Sequence, residues 1–126
     1  NEKYYWEDLG LRNSLVGYKA MEIGQMLENL VFLHLSRLGF KIHIGQLDGK
    51  EVDFVAEKEG RKIYIQVAYL MSDKITKERE FGNLLVIQDN YQKIVVSMDK
   101  MIGNDYQGVF HYQMIDFLQD DELLAV

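Results

Sequence analysis

The sequence predicts an α+β domain in the order helix, three meandering strands, helix, strand, with a mixed central sheet flanked by helices. Three observations carry this. A helical pattern runs from about Tyr18 to Leu38 and stops at Gly39, where a residue in left-handed backbone closes a last turn. Period-2 alternation follows in Phe40 to Leu47, Glu51 to Ala56 and Lys62 to Tyr69. A second helical stretch, capped by Ser72 or Asp73, reaches about Gln88, and Lys93 to Met98 then forms the most β-branched segment, which belongs inside a sheet.

Taken in order, Lys3 to Asp8 is short and aromatic and reads as a strand or extended arm packing on the main body. On the first helix, at about 100° per residue, Glu28 projects in the sector of Met21, Gly24, Val31, Phe32 and Leu35. His34 lies elsewhere on this helix and reads as an interfacial residue. In the first strand Ile42 and Ile44 alternate with Lys41 and His43, so the strand is half-buried, and Asp48-Gly49 makes the next turn. The polar segment Glu57 to Arg61, with Gly60, joins Lys50–Glu57 and Lys62–Leu70 into an antiparallel hairpin. Val52, Phe54 and Ala56 then share one face, as do Ile63, Ile65 and Val67. Asp53, between Glu51 and Val55, and Gln66, between Tyr64 and Ala68, take the opposite face. On the second helix Phe81, Leu84, Leu85 and Gln88 line one side, while Lys74, Lys77 and Arg79 interleave with Glu78 and Glu80 as a solvated, ion-paired face. A loop around Gly103 to Asp105, a strand through Val109 to Tyr112 and a short helix from about Met114 to Leu118 complete the chain.

The 126 residues, 48% of them hydrophobic, support one core and one domain. No segment is long and apolar enough to span a membrane, which sets membrane partners aside. There are no cysteines, which removes disulfides, thiolate metal sites and cysteine nucleophiles and fits a cytoplasmic setting. The formal charge of −6 means that any grip on DNA is local and weak, or supplied by a partner. His34, His43 and His111 lack metal-ligand spacing, and neither a glycine-rich phosphate loop nor a nucleophile elbow is present. The chain starts at Asn1 and shows no leader, so a fragment or processed product is expected.

Two carboxylates stand out. Asp53 is in mid-strand, where its short side chain competes for ladder hydrogen bonds, and Glu28 sits in an apolar stripe, where its charge is costly to desolvate. Either can also be a solvated residue on a one-sided element. Metal-dependent phosphodiester cleavage uses oxygen ligands around Mg²⁺ and a cation that orients water and offsets developing charge. Glu28, Asp53, Gln66 and the position two residues after Gln66 are in the right order to supply such a set.

At this point the sequence resembles the PD-(D/E)XK nuclease-like superfamily, with its restriction-endonuclease-like αβββαβ core. More closely it resembles the C-terminal domain that follows the ATPase module in bacterial and archaeal AAA-type ATPases of unassigned function. The resemblance rests on Lys3-Tyr4-Tyr5 with Asp8-Leu9-Gly10-Leu11-Arg12, Gly24 with Glu28-Asn29, Glu51-Val52-Asp53-Phe54, Ile65-Gln66-Val67, Arg79-Glu80-Phe81 and Asp89-Asn90-Tyr91. It implies that residues 1–126 are one nuclease-like domain, the C-terminal part of a longer ATPase. It also implies that Glu28, Asp53 and Gln66 are the catalytic, metal-ligating set, with glutamine replacing the usual third acid, and that Mg²⁺ is the cofactor if there is one. ATP would bind only through a module outside this chain. The departure is Ala68, which occupies the lysine position, although Lys62 or Lys74 could substitute from nearby. The expected function is therefore a degenerate, non-catalytic module serving nucleic-acid docking, protein recognition or self-association beside its ATPase module. The alternatives are an active Mg²⁺-dependent DNA nuclease with a relocated lysine, and an unrelated α/β interaction module.

Overall fold

The computed structural model describes residues 19–47, 50–71, 73–100 and 105–122. The motif residues Lys3 to Arg12, the Asp48-Gly49 turn, Ser72 and Gly103-Asn104 lie outside them. The elements are α1 (Ala20–Arg37), β1 (Lys41–Leu47), β2 (Lys50–Lys58), β3 (Arg61–Val67), α2 (Lys74–Leu85), β4 (Gln92–Ser97), β5 (Asp105–Tyr106), β6 (Val109–Gln113) and α3 (Met114–Gln119). The predicted order of helix, three strands, helix and strand is what the chain forms. Among the described residues, six strands make one mixed sheet in the order β1-β2-β3-β4-β6-β5. β1, β2 and β3 meander antiparallel, whereas β4 runs parallel to both β3 and β6. α2 is the crossover that a parallel β3–β4 pair requires.

Helices cover both faces. On one side Ile23, Leu27, Val31 and Leu35 of α1, with Met114 and Phe117 of α3, pack on Phe54, Ala56, Ile63, Ile65, Val67, Ile94 and Val96. On the other, Phe81 and Leu84 of α2 pack on Val52, Val55, Tyr64, Ala68, Val95 and Val109. Ile94, Val95 and Val96 are fully buried, as their β-branched run predicts for an interior strand. The hairpin turn places Glu59 (φ 52°) and Gly60 (φ 79°) in left-handed backbone between the paired Lys58 and Arg61, the two-residue turn whose twist suits a hairpin.

Four details differ from the periodicity. On α1 the buried stripe is Ile23, Leu27, Val31, His34 and Leu35, while Met21 and Phe32 are 75% and 41% exposed, so Glu28 sits at the stripe's edge rather than its centre. α2 stops at Leu85, and Gln88 is an exposed residue beyond it. Asp89 anchors the chain there by accepting from Tyr91 N and from the Tyr64 hydroxyl, which fixes the entry to β4. Val52 joins the α2 side with Val55, not the side of Phe54 and Ala56. Ile44 is 66% exposed rather than half-buried.

The last two share a cause. Between the pairs His43↔Val55 and Gly45↔Val52, β2 contains one residue more than β1, a bulge that reverses the facing of everything before it. Gly45 makes the bulge packable. A Cβ there would lie 2.6 Å from Val55 Cγ2 and 3.3 Å from Val52 Cβ. Gly45→Ala is expected to lower the free energy of unfolding by at least about 1 kcal/mol, the usual scale of overpacking. Urea denaturation checks this, and a variant as stable as wild type contradicts the close approach.

Candidate acidic cleft

Ladder pairing of β2 with β3 runs from Lys58↔Arg61 to Phe54↔Ile65 and goes no further, while β3 continues alongside β4 to Val67↔Val96. Two side chains take over where β2 leaves. Asp53 N donates to Gln66 Oε1 at 2.7 Å, and Val67 N donates to Asp53 Oδ2 at 2.8 Å. A carboxylate and a carboxamide thus satisfy backbone donors that the splayed ladder would leave unpaired. Asp53 in mid-strand has a structural reason as well as any chemical one.

Gln66 is buried, and its orientation follows from its neighbours. With Oε1 held by Asp53 N, Nε2 points to Glu80 and donates to Oε2 at 3.3 Å. A glutamate at position 66 could not make that second contact. Glu80 is the cleft residue that the sequence reading missed, because the interleaved charges of α2 suggested a solvated face. The available signal was its spacing, four residues before the buried Leu84 and next to the buried Phe81.

Glu28 enters from α1. Burial raises its carboxyl above the ordinary range, and repulsion from Asp53, Glu51 and Glu80 raises it further. Burial likewise raises Asp53, opposed by the hydrogen bond from Val67 and reinforced by Glu51. Glu80 is raised by burial and by Asp53, against the lowering effect of Arg79 and Gln66. Hydrogen bonds therefore link Gln66 to Asp53 and Glu80, and Glu28 lies near enough to Asp53, Glu51 and Glu80 to be repelled by them.

Such raised carboxyl groups stabilise the fold only while protonated. That contribution is present below the ordinary carboxylate range and is lost as pH rises through the higher folded values. Glu80→Gln keeps an acceptor for Gln66 and removes one repelling charge. It is expected to raise stability at neutral pH by about 0.5–2 kcal/mol, the range typical of charge optimisation. The gain should shrink as pH falls into the carboxylate range, and thermal melts across pH measure it; a pH-independent difference contradicts the charge account.

Cations are scarce here. Ala68, where the resemblance expects a lysine, is buried in the α2-side cluster with Val52, Tyr64, Met71 and Phe81. Lys62 pairs with Glu57 at 3.4 Å and lies 5.1 Å from the centre of the Tyr91 ring, four residues along β3 from Gln66, or roughly 13 Å at strand rise. Lys74 pairs with Glu78 at 3.9 Å. Among the described residues, the cation paired with a cleft carboxylate is Arg79, 3.5 Å from Glu80 Oε1 and largely exposed.

The donor oxygens are partly committed within the protein. Among the described residues, no group of three or more His, Asp or Glu side chains could hold a metal ion. One oxygen of Asp53 is committed to Val67 N and the Gln66 oxygen to Asp53 N. A separate polar knot deserves exclusion as a nucleophile site: Ser97 Oγ lies 2.8 Å from His111 Nε2 and donates to Asp99 Oδ2 at 3.0 Å. Ser97 has no exposed surface, and the acid meets the serine instead of the imidazole. His34 is likewise internal, its Nε2 3.0 Å from Asp120 O and its ring edge-on to Phe117 between α1 and α3.

No family model matches the sequence. The chain is 36% identical over 118 residues to a Haemophilus influenzae (strain Rd) protein described as uncharacterized. The match covers 94% of this chain and 29% of that relative, so the chain spans less than a third of the relative's length.

Proposed function

We propose that this domain is a degenerate PD-(D/E)XK-like module of a longer AAA-type ATPase, non-catalytic, and used for docking nucleic acid or protein partners and for self-association. The observation that carries the reading is the cleft's charge imbalance. Burial and mutual repulsion disfavour the charges of Glu28, Asp53 and Glu80, with Glu51 adding to the repulsion, and a buried methyl group stands at position 68 where the resemblance expects a lysine. The element order and the splayed β2–β3 hairpin support the superfamily assignment, and the length of the relative supports a multidomain context.

Without a positioned cation, neither the attacking water nor the charge that develops on the phosphate has a partner, and one such electrostatic contact is worth about 10²–10³ in rate. Incubating the domain with single- and double-stranded DNA in Mg²⁺ or Mn²⁺ tests this, with Asp53→Ala as background. Wild type is expected to match that background; cleavage lost in Asp53→Ala would establish the active-nuclease alternative.

A further inference from the structure

We propose that the far end of the β2–β3 hairpin, remote from the acidic cleft, binds the phosphodiester backbone of single-stranded nucleic acid, with Tyr91 as a platform for a base. The proposal takes up the nucleic-acid branch of the function above and gives it a site.

The chain is acidic overall, yet four of its cations converge on one concave surface of about 610 Å³. Lys41, Lys58, Arg61 and Lys62 line it together with Tyr91, against the two carboxylates of Glu57 and Glu59. Strand pairing explains the convergence. Lys41 is opposite Glu57, Glu57 is opposite Lys62, and Lys58 is opposite Arg61 across the turn. Lys41, Glu57 and Lys62 stand in a row on one face and Lys58 and Arg61 on the other, so the cations meet around the end of the hairpin, where the concavity wraps its edge.

The cations differ in what holds them. Lys58 donates to Leu38 O at 2.6 Å and lies over the Phe40 ring, which anchors its charge at the rim. Lys62 shares Glu57 at 3.4 Å. The side chains of Lys41 and Arg61 are exposed and, among the described residues, make neither an ion pair nor a hydrogen bond. They are available to a ligand without breaking an internal contact. Tyr91 is 44% exposed, with Tyr64 edge-on beside it and Lys62 over its ring. A basic groove with an exposed aromatic ring is the combination that holds a single strand, through phosphates on the cations and a base on the ring. A duplex keeps its bases stacked inside and cannot use the ring.

The test is fluorescence polarisation of a labelled oligothymidine of about 12 nucleotides, within the usual range of single-strand site sizes, at low salt. Binding is expected to weaken at least tenfold in Arg61→Glu with Lys41→Glu, and fivefold to about a hundredfold in Tyr91→Ala, the scale of one lost stacking contact. Tyr91→Phe should bind like wild type. Lys74→Glu reverses an exposed charge on α2, outside this surface, and should have little effect; circular dichroism confirms that each variant is folded. Added salt should weaken binding less steeply in the double reversal, since fewer counterions are released. Absence of binding, an equal loss in Lys74→Glu, or preference for a duplex of the same length overturns the site. None of those results would make the domain a nuclease, and DNA cleavage would overturn the non-catalytic reading without touching this site.

Discussion

Asp53→Asn is expected to fold at least as stably as wild type, and Asp53→Ala to be about 1–3 kcal/mol less stable than Asp53→Asn. The prediction comes from separating the two things this side chain does. Its carboxylate accepts from Val67 N at 2.8 Å, in place of the ladder bond that β2 abandons at this point. The same carboxylate is half-buried near Glu51 and Glu28, which disfavours its charge. Asparagine keeps an oxygen acceptor and removes the charge, so it retains the favourable part and loses the unfavourable one. Alanine removes both and leaves Val67 N, on a buried residue, without a partner; an orphaned donor of this kind costs about 1–3 kcal/mol. Urea melts of the three proteins at neutral pH measure the difference. Equal stability of the two variants would mean that the hydrogen bond carries no weight, and an asparagine variant clearly weaker than wild type would mean that the charge is not strained.

This division of roles also shows what could be read from the sequence. Alternation in Glu51–Ala56 and Lys62–Tyr69 was enough to place the hairpin, because polar and apolar residues separate cleanly on β3. It was enough to put Asp53 and Gln66 near each other, since both lie where the two strands part. The facing of Val52 was not legible. A bulge is a count of residues on two strands at once, and the clue lay on the partner strand, in a glycine at position 45 whose missing Cβ lets Val55 come close. Glu80 was hidden for a related reason. Charges of both signs alternate along Lys74 to Glu80, and which of them turns inward is decided by where α2 crosses the sheet, a tertiary fact. The edge position of Glu28 follows from α1 also packing on α3, which turns Val31, His34 and Leu35 to the core and Phe32 outward.

Ala68→Lys is the substitution expected to change the cleft most. Residue 68 lies just past the end of β3, two residues after Gln66, so a lysine stem there is expected to lie along the apolar cluster of Met71 and Phe81 with its amine towards the carboxylates. Burial raises Asp53, Glu80 and Glu28 and repulsion adds to it; a cation among them opposes both, and their titrations should move back down. On the proposed nuclease-like reading it also supplies the missing charge, an effect of about 10²–10³ in rate where such a group is positioned well.

Cleavage of a labelled DNA single strand and duplex across a titration of Mg²⁺ and Mn²⁺, comparing wild type, Asp53→Ala and Ala68→Lys, is therefore the most direct test of the claim that this cleft is a nuclease-like site without its cation. The expected result is wild type indistinguishable from Asp53→Ala at every metal concentration, with any cleavage confined to Ala68→Lys. Robust wild-type cleavage that disappears in Asp53→Ala would contradict it.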